Sequence, residues 1–181
     1  MKDTNPIIWQ SDEVNQQGVP FLTVLKAKGY YYYAERAGKD SIAFILIDNN
    51  KENCIGLIKE PKPPIGNDVF LITAFGGSLD KDIPLIEIVR EEVKEEAGYL
   101  VNSNTFMSLG KIIPVGKVLV STQMNQFCHL FVVDVTGLSQ GKHDLDEHEF
   151  GSTVEWIEPE DLLTLQDWKA PLIYMKYTKN I

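Results

Sequence analysis

The sequence predicts an α+β fold in which a mixed β-sheet carries helices packed against its outside. Three observations predict it. Strand-like runs rich in β-branched and aromatic residues lie both before and after one helix-like run in the middle of the chain, and further helical runs close it. The 181 residues are 44% hydrophobic, enough for one well-buried core. No internal repeat and no low-complexity segment interrupts that pattern.

In chain order, residues 21–27 and 30–35 read as two strands around Lys28-Gly29, a hairpin signal. Residues 41–47 and 54–59 read as a second pair around Asp48-Asn49-Asn50, a turn composition. Residues 61–67 hold three prolines and read as a loop. Residues 69–75 then form a strand that feeds a Gly76-Gly77 turn. Beyond the central helix, residues 106–120 read as strand broken by Pro114 and Gly116, followed by strands at 127–135 and 152–157. Residues 159–165 and 170–177 read as helices.

The central helix carries the chemistry. At about 100° per residue from Ile86, the residues Val89, Val93 and Ala97 fall within about 60° and form the expected buried stripe. Glu95, Glu92 and Glu96 fall at about 180°, 240° and 280°, so Glu92 and Glu96 stack on successive turns with Glu95 beside them. Glu87 and Glu91 are expected to face solvent. Pro84 suits a first turn and Gly98 a stop. Crowded carboxylates repel by roughly 0.2–0.5 kcal/mol per pair. A divalent cation between them reverses that cost, and hard oxygen donors suit Mg²⁺ or Mn²⁺. The plain alternative is a solvated acidic face. The glycine pair, the acidic loop after it and the glycine stop weigh against that alternative.

Together these features resemble the Nudix box, G-x5-E-x7-R-E-U-x-E-E-x-G-U, where U is bulky and apolar. Gly77 takes the first glycine without a gap. Glu92, Glu95 and Glu96 take the helix glutamates, Val93 an apolar position, Gly98 the last glycine and Tyr99 the final bulky position. Two of the 23 positions depart: Ile83 stands where the motif has its first glutamate, and Glu91 where it has arginine. In the family those two positions mainly support the loop and helix.

The resemblance implies a Nudix-type α/β/α sandwich with a mixed β-sheet and a central metal-binding loop-helix. It also implies Mg²⁺-dependent (or Mn²⁺-dependent) hydrolysis of a diphosphate linkage. The flanking residues are similar to the branch that cleaves ADP-ribose and ADP-sugars: Lys59-Glu60-Pro61 before the box, Pro114 fifteen residues after Tyr99, and the acidic run from Asp144 to Phe150. On that resemblance Gly76, through its carbonyl, and Glu92, Glu95, Glu96 and Glu149 hold metal. Glu92 and Glu96 are the main ligands with Glu95 assisting, and Glu149 or Glu147 orients or deprotonates the water, with Glu149 preferred; Glu95 counts with these two among the catalytic residues. Arg36, Tyr33 and Pro114 face the substrate, a small molecule linked through a nucleoside diphosphate. A solvated loop remains the alternative for residues 143–149. For the whole chain the alternative is a nucleotide-binding sensor of the same fold with weakened catalysis, motivated by Ile83 and Glu91.

The branch further implies that residues 1–40 form an N-terminal strand extension that dimerises, ahead of a hydrolase domain over residues 41–181. The net charge of −9 argues against nucleic-acid binding and against an anionic membrane surface. The longest apolar run, residues 42–47, is too short to span a bilayer, and the basic-then-apolar start of a signal peptide is absent; a cytoplasmic protein is expected. Cys54 and Cys128 lie in apolar runs and read as buried free thiols. His129 reads as a satisfied core histidine. Tyr30, Tyr31, Tyr32 and Tyr33 read as alternately buried strand residues, or as a stacking or dimer surface.

Overall fold

A computed structural model of the chain describes residues 5–15, 17–27, 29–38, 40–101, 110–143 and 151–179. The core strand is β4 (Ser41–Ile47), whose residues Ile42, Ala43, Phe44, Ile45 and Leu46 are all buried. Its continuous apolar run is what burial on both faces demands. Ile42, Phe44 and Leu46 pack on one side with α1 (Leu85–Ala97), and Ala43 and Ile45 on the other with α2 (Lys169–Lys179). Strand β9 (Met124–Asp134) runs parallel to β4 and repeats this division: Phe131 and Val133 join the α1 side, while Cys128, Leu130 and Val132 join the α2 side. The layering is therefore helix, mixed sheet, helix, as the resemblance implies.

Around these two strands the sheet branches. On one side of β4 lies β9. On the other lie β7 (Phe75–Ser78), against Ser41 to Phe44, and β5 (Ile55–Pro61), against Leu46 and Ile47. β5 pairs in turn with β6 (Phe70–Thr73) and β10 (Thr153–Ile157). β8 (Lys111–Ser121) is antiparallel to β9. The sequence predicts a break at Pro114 and Gly116, but β8 runs through both; they produce a register shift, since an edge strand accommodates a proline as a bulge. Phe44 and Phe75, opposite each other across β4 and β7, stack with ring centroids 4.9 Å apart. A 3₁₀ turn over Pro159–Thr164 stands where the first closing helix was expected.

The N-terminal part adds β1 (Ile7–Gln10), which sequence reading left unassigned, then β2 (Leu22–Lys26) and β3 (Tyr32–Arg36) in an antiparallel meander. It joins the rest of the sheet through Ala34 beside Met124. No residue of these three strands is buried, and Ile7, Ile8 and Trp9 are more than half exposed. Among the described residues no helix is long and apolar enough to cross a membrane.

Candidate metal and substrate site

Two corrections to the sequence reading define the site. Gly76 and Gly77 do not form a turn; they lie inside β7, opposite Ala43 and Ile42 of β4. The glycines serve close approach instead. A Cβ on Gly76 would come within 2.9 Å of the Ile42 carbonyl oxygen, and one on Gly77 within 2.0 Å of Glu92 Oε1. The helix packs directly over the two glycines of β7.

The second correction concerns the helix face. Ile86, expected at the centre of the buried stripe, is 37% exposed. The buried residues are Ile88, Val89, Val93, Glu96 and Ala97. Their centre lies near 290° on the wheel set at Ile86, which puts Glu96 in the middle of the apolar face. Helical periodicity fixes relative angles only, and packing on the sheet sets the rotation. Gly98 ends the helix in the left-handed conformation at φ 72°, as expected for a glycine stop.

Glu96 is 5% exposed, and its Oε2 accepts the Gly76 N–H at 3.3 Å. Glu92, one turn earlier, reaches Gly77. The two carboxylates therefore meet β7 at adjacent residues, and Glu95 is half-buried beside them. The Gly76 amide is thus held by Glu96; its carbonyl is the group expected at a metal. Two carboxylates on one glycine strand are a hard-oxygen donor set that fits Mg²⁺ or Mn²⁺. Among the described residues no three His, Cys, Asp or Glu side chains gather as a metal site. Glu147 and Glu149 lie outside the described residues.

Before α1, the loop is tied to the helix by Lys81, whose Nζ lies 2.6 Å from Glu91 Oε2. The hydrogen bond to Glu91 raises the Lys81 pKa above its ordinary value. Arg90 pairs with Glu87 on the helix itself.

A cleft of about 340 Å³ opens at the glycine strand. Gly76, Gly77 and Glu96 line it, and Arg36, Lys62, Trp168 and Lys169 stand around them. Of the three residues expected at the substrate, Arg36 lines the cleft; Tyr33 and Pro114 do not. Tyr33 accepts a hydrogen bond from Asn5 Nδ2 at 3.1 Å, and Pro114 sits on the exposed edge strand opposite Phe131. A larger cleft of about 440 Å³ lies at the other end of β4, near Lys51, Tyr174 and Tyr177. The smaller one is the candidate site because Glu96 and the two glycines open into it.

Several cleft residues escaped the sequence reading. Glu60 Oε1 accepts Lys62 Nζ at 2.5 Å and Thr73 Oγ1 at 2.6 Å. Asp167, 7% exposed, accepts the backbone N–H groups of Ala74 (2.8 Å), Lys169 (3.2 Å) and Ala170 (3.2 Å). It caps α2 and ties it to the strand segment just before the glycines. The available signal was an aspartate two residues ahead of an apolar helical run, an N-cap pattern. Its bond to Ala74, 93 residues away, has no local signature.

His129 Nε2 lies 3.3 Å from Asp40 Oδ2, so it is a partnered sheet histidine. Cys54 and Cys128 are free thiols, half-buried and buried respectively. Burial pushes the Cys128 thiol above its ordinary value, which keeps it neutral and a poor nucleophile.

No protein-family profile matches this chain, and no curated protein matches it. Solved structures do. One, described as an ADP compounds hydrolase, superposes with a TM-score of 0.55 at 13% sequence identity, covering 90% of this chain and 84% of that one. At that identity the likeness shows a common fold. The class of protein defined here is thus a mixed-sheet α/β/α fold, with acidic helix residues against a glycine strand.

Proposed function

We propose that this chain is a Nudix hydrolase that cleaves the diphosphate linkage of a nucleoside diphosphate derivative, ADP-ribose or an ADP-sugar first. One observation carries the reading: Glu92 and Glu96 converge from successive helical turns on Gly77 and Gly76, and Glu96 with both glycines lines the cleft. The solved ADP compounds hydrolase of the same fold supports it. Glu92 and Glu96, with Glu95, would hold Mg²⁺ or Mn²⁺, and Glu149 is assigned to the same set. Bound there, the cation would neutralise phosphate charge and lower the pKa of a coordinated water.

The chain's own residues then have distinct tasks. Arg36 meets phosphate from the cleft rim. The Gly76 N–H holds one carboxylate oxygen of Glu96 against the glycine strand. Glu149, or Glu147, takes the proton from the attacking water. The products are a nucleoside monophosphate and a phosphorylated remainder.

A second reading, a nucleotide sensor of the same fold, is favoured by Ile83 and Glu91 at two box positions. One assay separates the two. The full chain is incubated with Mg²⁺ and ADP-ribose, NADH, dinucleoside polyphosphates or dNTPs, and monophosphate is detected. Release of AMP from ADP-ribose, stopped by EDTA and lowered by orders of magnitude in Glu96→Gln, is expected. Nucleotide binding without turnover of any of them would establish the sensor.

The exposed apolar residues Ile7, Ile8 and Trp9 support a homodimer built on residues 1–40. A monomeric mass in light scattering would exclude it.

A further inference from the structure

We infer that Trp168 is the stacking platform for the nucleobase and Lys169 the adjacent phosphate contact, so that the mouth of α2 selects nucleotides over other diphosphates. The inference rests on the hydrolase reading for its location and goes beyond it in naming what grips the substrate.

Trp168 lines the cleft and is 44% exposed, although its neighbours Asp167 and Ala170 are buried. An indole left half in water next to a packed segment is a surface awaiting a flat partner. Its backbone is also anchored. Asp167 fixes the backbone on both sides of Trp168, through Ala74 N–H before it in space and through Lys169 and Ala170 N–H after it in sequence. The Trp168 carbonyl accepts Leu172 N–H at 3.4 Å and starts the helix. A stacking face with little freedom to lose binds at low entropic cost.

Beside this face the cleft carries three cations, Lys169, Lys62 and Arg36, together with Glu60 and Glu96. Lys169 Nζ sits 3.8 Å from Asp167 Oδ1, too long for a tight pair, and it lines the cleft with Lys62 and Arg36. A flat aromatic face followed at the next residue by a cation, in the same cleft as Glu96, complements an aromatic base joined to phosphate.

The test uses the full chain in Mg²⁺ and isothermal titration with AMP and with ribose 5-phosphate, which lacks the base. Trp168→Ala is expected to weaken AMP by about tenfold or more, and Trp168→Phe by less than about threefold. Ribose 5-phosphate should bind wild type and Trp168→Ala alike, while Lys169→Gln weakens both ligands. Equal affinity of wild type and Trp168→Ala for AMP overturns the inference, as does failure of wild type to bind AMP. ADP-ribose turnover on the same samples separates the two readings. Turnover with the same KM in wild type and Trp168→Ala keeps the hydrolase and sinks the platform. AMP binding that depends on Trp168 without any turnover keeps the platform and sinks the hydrolase.

Discussion

Oε1 of Glu92 occupies the space that a side chain on Gly77 would need: a Cβ there would lie 2.0 Å from it. Strand β7 and helix α1 are thus fitted to each other through one carboxylate and one missing methyl group. Gly77→Ala pushes aside the flexible end of Glu92 and leaves the core intact. Expected are a stability loss of about 1 kcal/mol and Mg²⁺ activation weakened by about 10–100-fold. A thermal melt and a Mg²⁺ titration of ADP-ribose cleavage on the same sample check both. Unchanged Mg²⁺ activation would remove Glu92 from the metal set.

Lys81 and Glu91 connect the acidic loop to the helix with the positive charge on the loop. Both ends are exposed, so the pair contributes no more than about 1 kcal/mol. Lys81→Glu and Glu91→Lys should each lower the melting temperature slightly. The double exchange should recover it, and 1 M salt should erase the coupling. A double-mutant cycle showing no coupling at low salt would mean that the loop is held by its backbone alone.

Asp167 supplies the acceptor for three backbone donors at a buried position. Removing it leaves those donors unsatisfied. Asp167→Ala is expected to cost about 2–4 kcal/mol in urea unfolding, and Asp167→Asn about half of that, since the amide keeps one acceptor oxygen. Wild-type stability in Asp167→Ala would show that water replaces the carboxylate at no cost.

Tyr99 follows the glycine stop and is 4% exposed. Burial first, and the nearby charge of Asp48 second, raise its phenol above the ordinary value of 10.0. The folded state therefore holds this proton more tightly than the unfolded chain does. The associated stability is fully present below about pH 10 and is lost as the pH rises through that value toward the folded-state pKa. Urea midpoints between pH 8 and 11 should fall less steeply in Tyr99→Phe. Identical alkaline slopes would place the titration elsewhere.

Much of the site was legible in the chain because its determinants are local. Glu92, Glu95 and Glu96 recur at helical spacing, and Gly98 marks the end of that helix at the residue where it stops. Apolar runs marked residues 41–47 and 127–135 as strands, which β4 and β9 match. Arg36 was singled out and stands at the cleft. Tyr33 and Pro114 were also singled out, but they do not line it. The expected catalytic loop with Glu147 and Glu149 lies outside the described residues.

The sequence by itself determined the order of elements, the spacing of the acidic groups and the apolar alternation, because each depends on neighbours within a few residues. Only the tertiary structure decided that Gly76 and Gly77 are strand, that Glu96 is the buried carboxylate, and that Asp167 bonds to Ala74. These depend on which surfaces meet across the sheet. A helix carries no record of its own rotation until a partner removes one face from water, and a carboxylate 93 residues from its donor meets it only when the chain has closed.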